Sequence, residues 1–363
     1  MKIVICVHNL ANGGAERVAS LWANGFAADE NTVYVLTCEE NAPVNYLLSP
    51  NVTVYDISEA GNPLVRYVKK VINLRRELKN IRPDVVLTVL HPWNVWSIIA
   101  KIGLDIPIIN TEHDCFERPP KAPLKKSIWF EKFILNRFFR VVTVLNHRDK
   151  ELLNKYMNNV EVLPNPLTFK VPHKIIEKEK IILAAGRIDD WYCKGFDLLI
   201  KSWSKIAKQY PDWTLCVAGN DKRGGREILE DIIEEEKVKP QVKLLGFCED
   251  ILLWLQKVDV FVLSSRYEGF GMVLLEAMSQ GCACVSCDYH GRQSEIITDG
   301  MDGIVCGCDN EEELSACLNR VLSDKELRNK LRENAIKRAS DYAIDKIMDN
   351  WYQIFRKYKI LTT

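Results

Sequence analysis

Short runs of Val, Ile and Leu alternate with longer amphipathic segments along the chain. Near-continuous apolar runs such as residues 84–90 are typical of parallel strands buried on both faces of a sheet. Helical patterns lie between such runs, for example at 14–28, 63–80 and 147–157. The alternation predicts a doubly wound α/β fold. The strands predicted in the first half are 2–8, 32–37, 52–56, 84–89, 107–112 and 140–145.

The strand pattern restarts after a polar, proline-bearing stretch at 163–180, which we interpret as a linker. Two α/β domains are therefore expected, an N-terminal one at 1–168 and a C-terminal one at 169–342. Ligands of open α/β sheets bind beyond the carboxyl ends of the strands, so a cleft between the domains is the expected site. The apolar runs of the second half are 181–186, 213–219, 242–246, 259–263 and 282–286.

The composition excludes several classes of protein. With 363 residues, 47% of them hydrophobic, the chain can fill two cores, which excludes a disordered linker protein. Lys plus Arg and Asp plus Glu both number 49, so no overall charge favours nucleic acid. Twelve cysteines are too few for a disulfide scaffold, and no apolar run reaches the roughly 18 residues of a spanning helix. Residues 1–7 indicate a strand rather than a signal peptide, so we expect a cytoplasmic protein with reduced thiols.

Basic residues concentrate in the first half of the chain. Residues 60–150 contain 17 Lys or Arg and 8 Asp or Glu, an excess of nine positive charges. One basic group follows the helix predicted at 63–80, and a second is interleaved with aromatic residues over 121–140. This combination suits an anionic membrane surface. A solvated helix face beside ordinary core aromatics accounts for it equally well.

The segment 264–278 is the most informative stretch for chemistry. A buried strand enters a glycine-containing loop, and a helix is expected from about Gly271. Backbone N–H groups at such a helix start can bind phosphate or pyrophosphate. Glu268 lies in the loop, and Glu276 follows after seven intervening residues on the early helix, where a carboxylate can accept hydrogen bonds from ribose hydroxyls. The plain alternative is two surface glutamates beside an apolar helix.

The string EGFGMVLLE at 268–276 resembles the signature of the family 4 retaining glycosyltransferases of the GT-B fold. The resemblance spans residue 2 to about 340. It implies two Rossmann-like domains facing each other across a cleft, with the nucleotide sugar held by the second domain and the acceptor by the first. A final helix, part of 343–363, is expected to cross back to the first domain. The other matching pieces are 12–17 after the first strand, 111–114, Gly186-Arg187 with Lys194-Gly195, and Gly246-Phe247.

The resemblance assigns roles to individual positions. It implies that His113 and Glu268 are catalytic, in the sense that both act on the donor sugar. His113 is not expected to be a general base, and Glu268 is expected to hold the hydroxyls of the sugar rather than form a covalent intermediate. The implied donor-binding residues are Gly13, Gly14, Arg187, Lys194, Phe247, Gly269, Phe270, Gly271 and Glu276. Asn165, near the expected hinge, Arg292 and Glu295 are further candidates.

Elementary chemistry agrees with part of this assignment. Arg187 offers a planar fork for phosphate oxygens, and Lys194 a compact charge. The Asn12-Gly13-Gly14 loop could bring N–H groups close to the phosphates. Taken alone, each of these is more often a surface residue or a simple turn. No Asp-x-Asp occurs, which argues against the metal-dependent GT-A enzymes, so no metal or other cofactor is expected.

Two cysteine clusters, at 282–287 and at Cys306-Gly307-Cys308, look like metal or redox motifs, but they are better interpreted as core residues. Cys282, Cys284 and Cys287 lie on a predicted buried strand, and no matching pair stands at zinc-ribbon spacing from them. A departure from the family pattern occurs at 290–292, where a bulky Arg292 stands in a loop that is usually Gly-Gly or Gly-Pro. The identity of the donor sugar stays open for that reason.

We therefore predict a cytoplasmic, metal-independent, retaining hexosyltransferase that uses a nucleotide-diphosphate sugar. The resemblance favours a UDP-sugar and an acceptor that is a saccharide or a lipid-linked saccharide, as in surface polysaccharide synthesis. The basic first half adds a possible anionic membrane partner. Two alternatives stay open: a nucleotide-sugar epimerase of the same architecture, and a non-catalytic nucleotide-sugar-binding protein.

Overall fold

The computed structural model describes residues 1–11, 13–172 and 176–361, and within these ranges it contains thirteen strands and thirteen α-helices. The strands are β1 (Lys2–Cys6), β2 (Thr32–Thr37), β3 (Val52–Asp56), β4 (Val85–Val89), β5 (Ile108–Thr111), β6 (Val141–Val144), β7 (Val160–Val162), β8 (Glu179–Ala185), β9 (Thr214–Ala218), β10 (Val242–Gly246), β11 (Val258–Leu263), β12 (Ala283–Asp288) and β13 (Ile304–Gly307). The helices are α1 (Gly14–Ala28), α2 (Pro63–Ile81), α3 (Trp93–Ala100), α4 (Lys126–Phe133), α5 (His147–Asn154), α6 (Trp191–Lys194), α7 (Phe196–Ser204), α8 (Gly225–Glu235), α9 (Ile251–Lys257), α10 (Met272–Ser279), α11 (Glu311–Ser323), α12 (Lys325–Ala339) and α13 (Ile344–Lys357).

The chain folds as two compact units. Unit 1 comprises Met1–Thr168 together with the chain from Tyr342 onward, and unit 2 comprises Phe169–Asp341. Unit 1 contains a seven-stranded parallel sheet in the order β3-β2-β1-β4-β5-β6-β7. The central strands β4, β5 and β6 are buried at every position, because helices cover both faces of the sheet.

One face of the unit 1 sheet is covered by α1 and α13. The aromatic side chains of Trp22 and Phe26 on α1 meet Trp351 and Phe355 on α13, and all four are at most 1% exposed. The rings of Trp22 and Trp351 pack edge to face with centroids 5.1 Å apart, and those of Phe26 and Phe355 stack at 5.8 Å. Such pairs contribute about 0.5–1.5 kcal/mol each beyond the area they bury. The last helix is therefore part of the core of unit 1.

Unit 2 contains a six-stranded parallel sheet in the order β10-β9-β8-β11-β12-β13. Counted from its own first strand this is 3-2-1-4-5-6, the order of the Rossmann fold. The chain after β9 passes very close to the end of β8. A Cβ atom added to Gly219 would lie only 1.7 Å from the carbonyl oxygen of Gly186. Only glycine fits there. The predicted doubly wound fold is confirmed in both units.

The structure departs from the predicted elements at three places. Strand β7 is only three residues long, so its apolar pattern is too short to detect. Strand β13 is absent from the predicted strands. Its last two residues, Cys306 and Gly307, belong to the sequence Cys306-Gly307-Cys308, which resembles a metal motif and so obscured the strand pattern. Helix α5 ends at Asn154 rather than at 157, and the chain turns there. Within the described residues, no helix combines the length and apolarity needed to cross a membrane.

Candidate active site

The loop that follows β11 in unit 2 holds a buried ion pair. The Nζ atom of Lys194 lies 2.6 Å from Oε1 of Glu268, and the Ser265 hydroxyl donates to the same oxygen at 2.8 Å. The two charged side chains are only 21% and 15% exposed. Burial opposes the charge on Lys194, but the Glu268 carboxylate outweighs it and holds the pKa of Lys194 above its ordinary value. The Lys194 ammonium group is therefore charged at neutral pH.

Backbone geometry brings Lys194 to this loop. Helix α6 ends at Lys194, and Gly195 adopts a left-handed conformation with φ +63°. A Cβ atom at Gly195 would be 2.0 Å from the carbonyl oxygen of Ser264, so a larger residue would push the two segments apart. The Ser264 hydroxyl donates to the Lys194 carbonyl at 2.9 Å. The sequence thus needs glycine after Lys194 to place its ammonium group beside Glu268.

Arg266 anchors the same loop, and the sequence analysis missed it. Its guanidinium donates in a forked pair to Asp197 at 2.7 and 2.9 Å, to Asp309 at 2.6 Å and to the Tyr192 carbonyl at 2.7 Å. It also lies over the Tyr192 ring, 4.2 Å from the centroid. The sequence contained a signal for this role, because Arg266 is a cation two residues before Glu268 in a loop that follows a buried strand. Arg266 fixes the path of the chain into Glu268.

Helix α10 begins immediately after the loop. Gly271 precedes it with φ +90°, and among the described residues it makes no side-chain capping hydrogen bond, so the first N–H groups of the helix can bind an anion. Phe270 and Glu276 are buried, with 6% and 4% exposure, and Gly269 is half-buried. The structure therefore places Gly269, Phe270 and Gly271 in one turn with Glu268, and Glu276 in the second turn of α10.

Arg187 and Phe247 follow β8 and β10, at the same edge of the unit 2 sheet. The Arg187 side chain is 74% exposed, and its Nη2 atom lies 2.6 Å from Oδ2 of Asp190. The positive charge of Arg187 is close enough to Lys194 to lower its pKa, against the larger raising effect of Glu268. Phe247 is 66% exposed and follows Gly246, which has φ +73°. Both residues stand at the surface of unit 2 and are available to a ligand there.

Arg292 and Glu295 are integrated into the structure of unit 2. Arg292 is 2% exposed, and its Nη1 atom donates to the Tyr289 carbonyl at 3.1 Å. The bulky cation that departs from the family pattern is thus buried rather than spread over the loop surface. Glu295 is half-buried, and its carbonyl accepts a 2.6 Å hydrogen bond from Arg338.

In unit 1, His113 follows β5 and lies on Trp22, with ring centroids 5.5 Å apart. The Thr111 hydroxyl donates to the Thr88 carbonyl, so it accepts from Nε2–H of His113 at 3.2 Å and leaves Nδ1 as the unprotonated nitrogen. Burial lowers the pKa of His113 to about 4, against an opposing contribution from Asn165. The ring is therefore neutral at pH 7, and the structure brings together two of the predicted residues, His113 and Asn165.

The glycine loop after β1 is closed by a tyrosine. The N–H of Gly13 donates to the Tyr46 hydroxyl at 3.0 Å, and that hydroxyl donates back to the Gly13 carbonyl at 3.0 Å. The carboxylate of Glu16 occupies the space where a Gly13 side chain would be. Asn12 lies outside the described residues, and Gly14 begins α1. In this conformation the Gly13 amide is held by Tyr46 rather than presented to a phosphate.

A buried polar network lies under His113. Lys132 and Glu112 form an ion pair in which each side chain is 6% exposed. Oε1 of Glu112 also accepts from Asn110 at 3.0 Å and from Asn136 at 2.9 Å. The expectation that Lys132 belongs to a basic surface is therefore wrong, because Glu112 draws it into the interior. The network fixes the start of the segment that carries His113.

The cysteines behave as core residues. Cys282, Cys284, Cys287 and Cys306 are at most 2% exposed, and all twelve cysteines are free thiols. Cys287 and Cys306 are partners across β12 and β13, with sulfur atoms 3.7 Å apart. Across the described ranges, no group of three or more His, Cys, Asp or Glu side chains is arranged to hold a metal ion.

Two family models match adjoining parts of the chain. Residues 12–168 match the model described as Glycosyltransferase Family 4, and residues 167–338 match Glycosyl transferases group 1. Together they cover unit 1 up to its junction and nearly all of unit 2. The chain belongs to the family 4 glycosyltransferases. The loop that holds Glu268 and helix α10 both lie in the range matched by the second model.

Relatives and solved structures agree with that membership. The chain is 29% identical, over 99% of both chains, to a Campylobacter jejuni GalNAc-α-(1→4)-GalNAc-α-(1→3)-diNAcBac-PP-undecaprenol α-1,4-N-acetyl-D-galactosaminyltransferase. It is 24% identical, over 95% of this chain and 96% of the other, to that organism's N-acetylgalactosamine-N,N'-diacetylbacillosaminyl-diphospho-undecaprenol 4-α-N-acetylgalactosaminyltransferase. The Anabaena protein Alr3699/HepE, solved with UDP and glucose, superposes with a TM-score of 0.81 at 20% identity over 98% and 99% of the chains. The enzyme therefore has the GT-B fold.

Proposed function

We propose that this glycosyltransferase moves a hexose or N-acetylhexosamine from a UDP-sugar to a saccharide acceptor with retention of anomeric configuration. The observation that carries the proposal is the Lys194–Glu268 pair. Lys194 and Ser265 both donate to Oε1 of Glu268. The other oxygen, Oε2, accepts no hydrogen bond from the described residues. It can therefore accept hydrogen bonds from the hydroxyl groups of a donor sugar.

The leaving diphosphate needs positive charge, because negative charge develops on it as the sugar departs. Lys194 supplies an ammonium group from the same pair. Arg187 supplies a guanidinium that is paired with Asp190 at the surface, and exposed pairs cost little to open. The N–H groups at the start of α10 add a third source. In our proposal these groups do the work that a divalent ion does in metal-dependent enzymes, and Glu276 binds the ribose.

Retention follows if attack and departure occur on one face of the sugar. In this proposal the leaving phosphate oxygen takes the proton of the acceptor hydroxyl as the new glycosidic bond forms. Glu268 holds the sugar through its hydroxyls and forms no covalent intermediate. His113 donates no proton at neutral pH from a ring whose pKa is about 4, so we assign it a hydrogen bond to the donor sugar.

The acceptor is proposed to be a saccharide linked to a lipid diphosphate. Two relatives that align with nearly the whole chain are named for saccharides on diphospho-undecaprenol. A protein that handles such a substrate must work at a membrane surface. We place the acceptor on unit 1 and the enzyme on the inner face of the cell membrane, in the synthesis of a surface glycan.

A transfer assay tests this function. The purified enzyme is incubated with UDP-GalNAc, UDP-GlcNAc, UDP-glucose or UDP-galactose and with GalNAc-diphospho-undecaprenol. We expect one donor to be consumed, an α-linked product, and the same rate in EDTA. Loss of activity in EDTA with recovery in Mn²⁺ would contradict the metal-free mechanism, and a β-linked product would contradict retention. Conversion of the free UDP-sugar without any acceptor would indicate an epimerase instead.

The outward face of α2 supports the membrane part of the proposal. Leu64, Val65, Val68 and Ile72 are 74%, 51%, 50% and 58% exposed. At 100° per residue they fall within about 100° of arc, and the buried residues Leu74, Leu78 and Ile81 are centred about 120° away around the helix. The outward face then becomes basic toward the carboxyl end of the helix, with Arg76, Lys79 and Arg82. An exposed apolar stripe followed by cations matches a bilayer that contains anionic lipids.

Replacing Val68 and Ile72 together with Asp should lower binding to vesicles of phosphatidylglycerol and phosphatidylethanolamine by about tenfold or more, since two apolar side chains leave the lipid and two charges enter the interface. Co-sedimentation measures the effect. A matched control places Asp at Ile228 and Leu253, which are exposed apolar helix residues of unit 2. Equal losses in both double variants, or none in either, would contradict a membrane role for α2.

A further inference from the structure

A histidine–glutamate pair at the end of β4 in unit 1 has no role in the function described so far. Nδ1 of His91 lies 2.8 Å from Oε2 of Glu131. The imidazole is 65% exposed, but the Glu131 side chain is only 12% exposed. The other oxygen of Glu131 accepts from Asn94, which is 3% exposed and lies on α3. A mostly buried carboxylate, fixed by a buried amide, is thus used to orient an exposed imidazole.

This arrangement leaves one imidazole nitrogen for a ligand. With Nδ1 bound to Glu131, the orientation and tautomer of the ring are set, as in sites where a carboxylate positions a working histidine. Nε2 has no partner among the residues that the structure describes. Nε2 can accept a hydrogen bond when the ring is neutral or donate one when the ring is protonated. A sugar hydroxyl is both a donor and an acceptor, so it can form either bond.

Comparison with His8 shows that the pair is more than a surface contact. His8 follows β1 at the same edge of the sheet and lies 3.4 Å from Glu39, but these two side chains are equally exposed, at 48%. Exposed pairs of that kind contribute little. The backbone before His91 is also unusual, because Leu90 has φ +64°. A bulky residue rarely adopts this conformation, and strain of this kind concentrates at functional sites.

The position in the sheet indicates which ligand the pair binds. Strand β4 lies between β1 and β5, and β5 leads to His113. Ligands of open parallel sheets bind beyond the carboxyl ends of the strands, where His91 stands. We propose that His91, oriented by Glu131 and Asn94, binds a hydroxyl group of the saccharide acceptor. This inference rests on the proposed function, because it assigns the acceptor site of that reaction.

Steady-state kinetics with GalNAc-diphospho-undecaprenol and with octyl α-GalNAc test the inference. For His91→Ala we expect the KM for the acceptor to rise about tenfold to hundredfold, the equivalent of one lost hydrogen bond to a polar or charged group. The Kd for UDP should not change, since His91 lies in unit 1. Glu131→Gln should raise the acceptor KM less, because it keeps the shape but weakens the hold on Nδ1. His147→Ala, at an exposed histidine after β6, is the matched control and should resemble the unaltered enzyme.

The outcomes separate the two proposals. If the unaltered enzyme transfers sugar and His91→Ala keeps its acceptor KM, the inference is wrong and the proposed function stands. The inference is also wrong if His147→Ala raises the KM as much as His91→Ala does. If the unaltered enzyme binds the UDP-sugar but transfers it to neither acceptor, the proposed function fails and the acceptor site fails with it.

Discussion

Replacing Glu268 with Gln should lower kcat by about 10²–10³, the usual cost of removing one preorganised polar group from a transition state. The substitution keeps the size of the side chain and its contacts with Lys194 and Ser265, but it removes the negative charge that the donor sugar meets. UDP itself lacks the sugar. Its affinity should therefore stay the same or increase, because the positive charge of Lys194 is no longer neutralised by a carboxylate.

Turnover and UDP binding are best measured on the same preparation, by product formation and by titration calorimetry. Glu235→Gln is the matched control, since this glutamate is exposed at the end of α8 and touches no part of the loop. A Glu268→Gln enzyme with unimpaired turnover would remove Glu268 from the reaction. A parallel collapse of UDP affinity would show that Glu268 builds the nucleotide site instead of acting on the sugar.

Replacing Arg266 with Leu should destabilise unit 2 by about 3–5 kcal/mol, because the Asp197 carboxylate, only 13% exposed, loses both of its hydrogen bonds from Arg266. For a unit of this size the loss lowers Tm by about 6–20 °C. Arg266→Lys keeps the charge but not the fork, so it should be more stable than the Leu variant. It should still lose kcat, because the loop that carries Glu268 is held less firmly, while the Kd for UDP changes little.

Differential scanning calorimetry and the transfer assay check these effects. Arg226→Leu is the control, since it breaks an exposed pair with Glu230 whose side chains are 45% and 52% exposed. Such a pair is worth less than about 1 kcal/mol. Equal shifts of Tm in Arg226→Leu and Arg266→Leu would contradict the anchoring role. Full activity in Arg266→Lys would limit Arg266 to stability alone.

The sequence predicted most of the fold because parallel strands buried on both faces appear as unbroken apolar runs. It also indicated the Glu268 loop as a site, since a glycine-containing loop and a helix start follow a buried strand there, whereas Lys194 was suggested only by the family resemblance. The structure places Arg187 and Phe247 at the same edge of the unit 2 sheet. Their assigned roles, like the roles of His113 and Glu276, stay predictions.

Other features depend on partners that are distant in the sequence. Lys132 stands among basic neighbours in the sequence and so resembles a surface cation, and only the fold shows Glu112 beside it, twenty residues earlier. His91 and Glu131 are forty residues apart, so no local pattern joins them. The sequence places Arg292 in a loop, where a cation is expected to be exposed, yet it is buried and hydrogen-bonded to the carbonyl of Tyr289. In each case a tertiary contact decides the environment of a charged group.

The place of α13 in the core of unit 1 bears on how the chain folds during synthesis. Trp22 and Phe26 leave the ribosome early, but Trp351 and Phe355, which cover them, emerge more than 300 residues later. Unit 2 is continuous in sequence and can fold while translation proceeds. The aromatic surface of Trp22 and Phe26 therefore stays exposed until α13 has been synthesised. This interval is when unit 1 most needs chaperones.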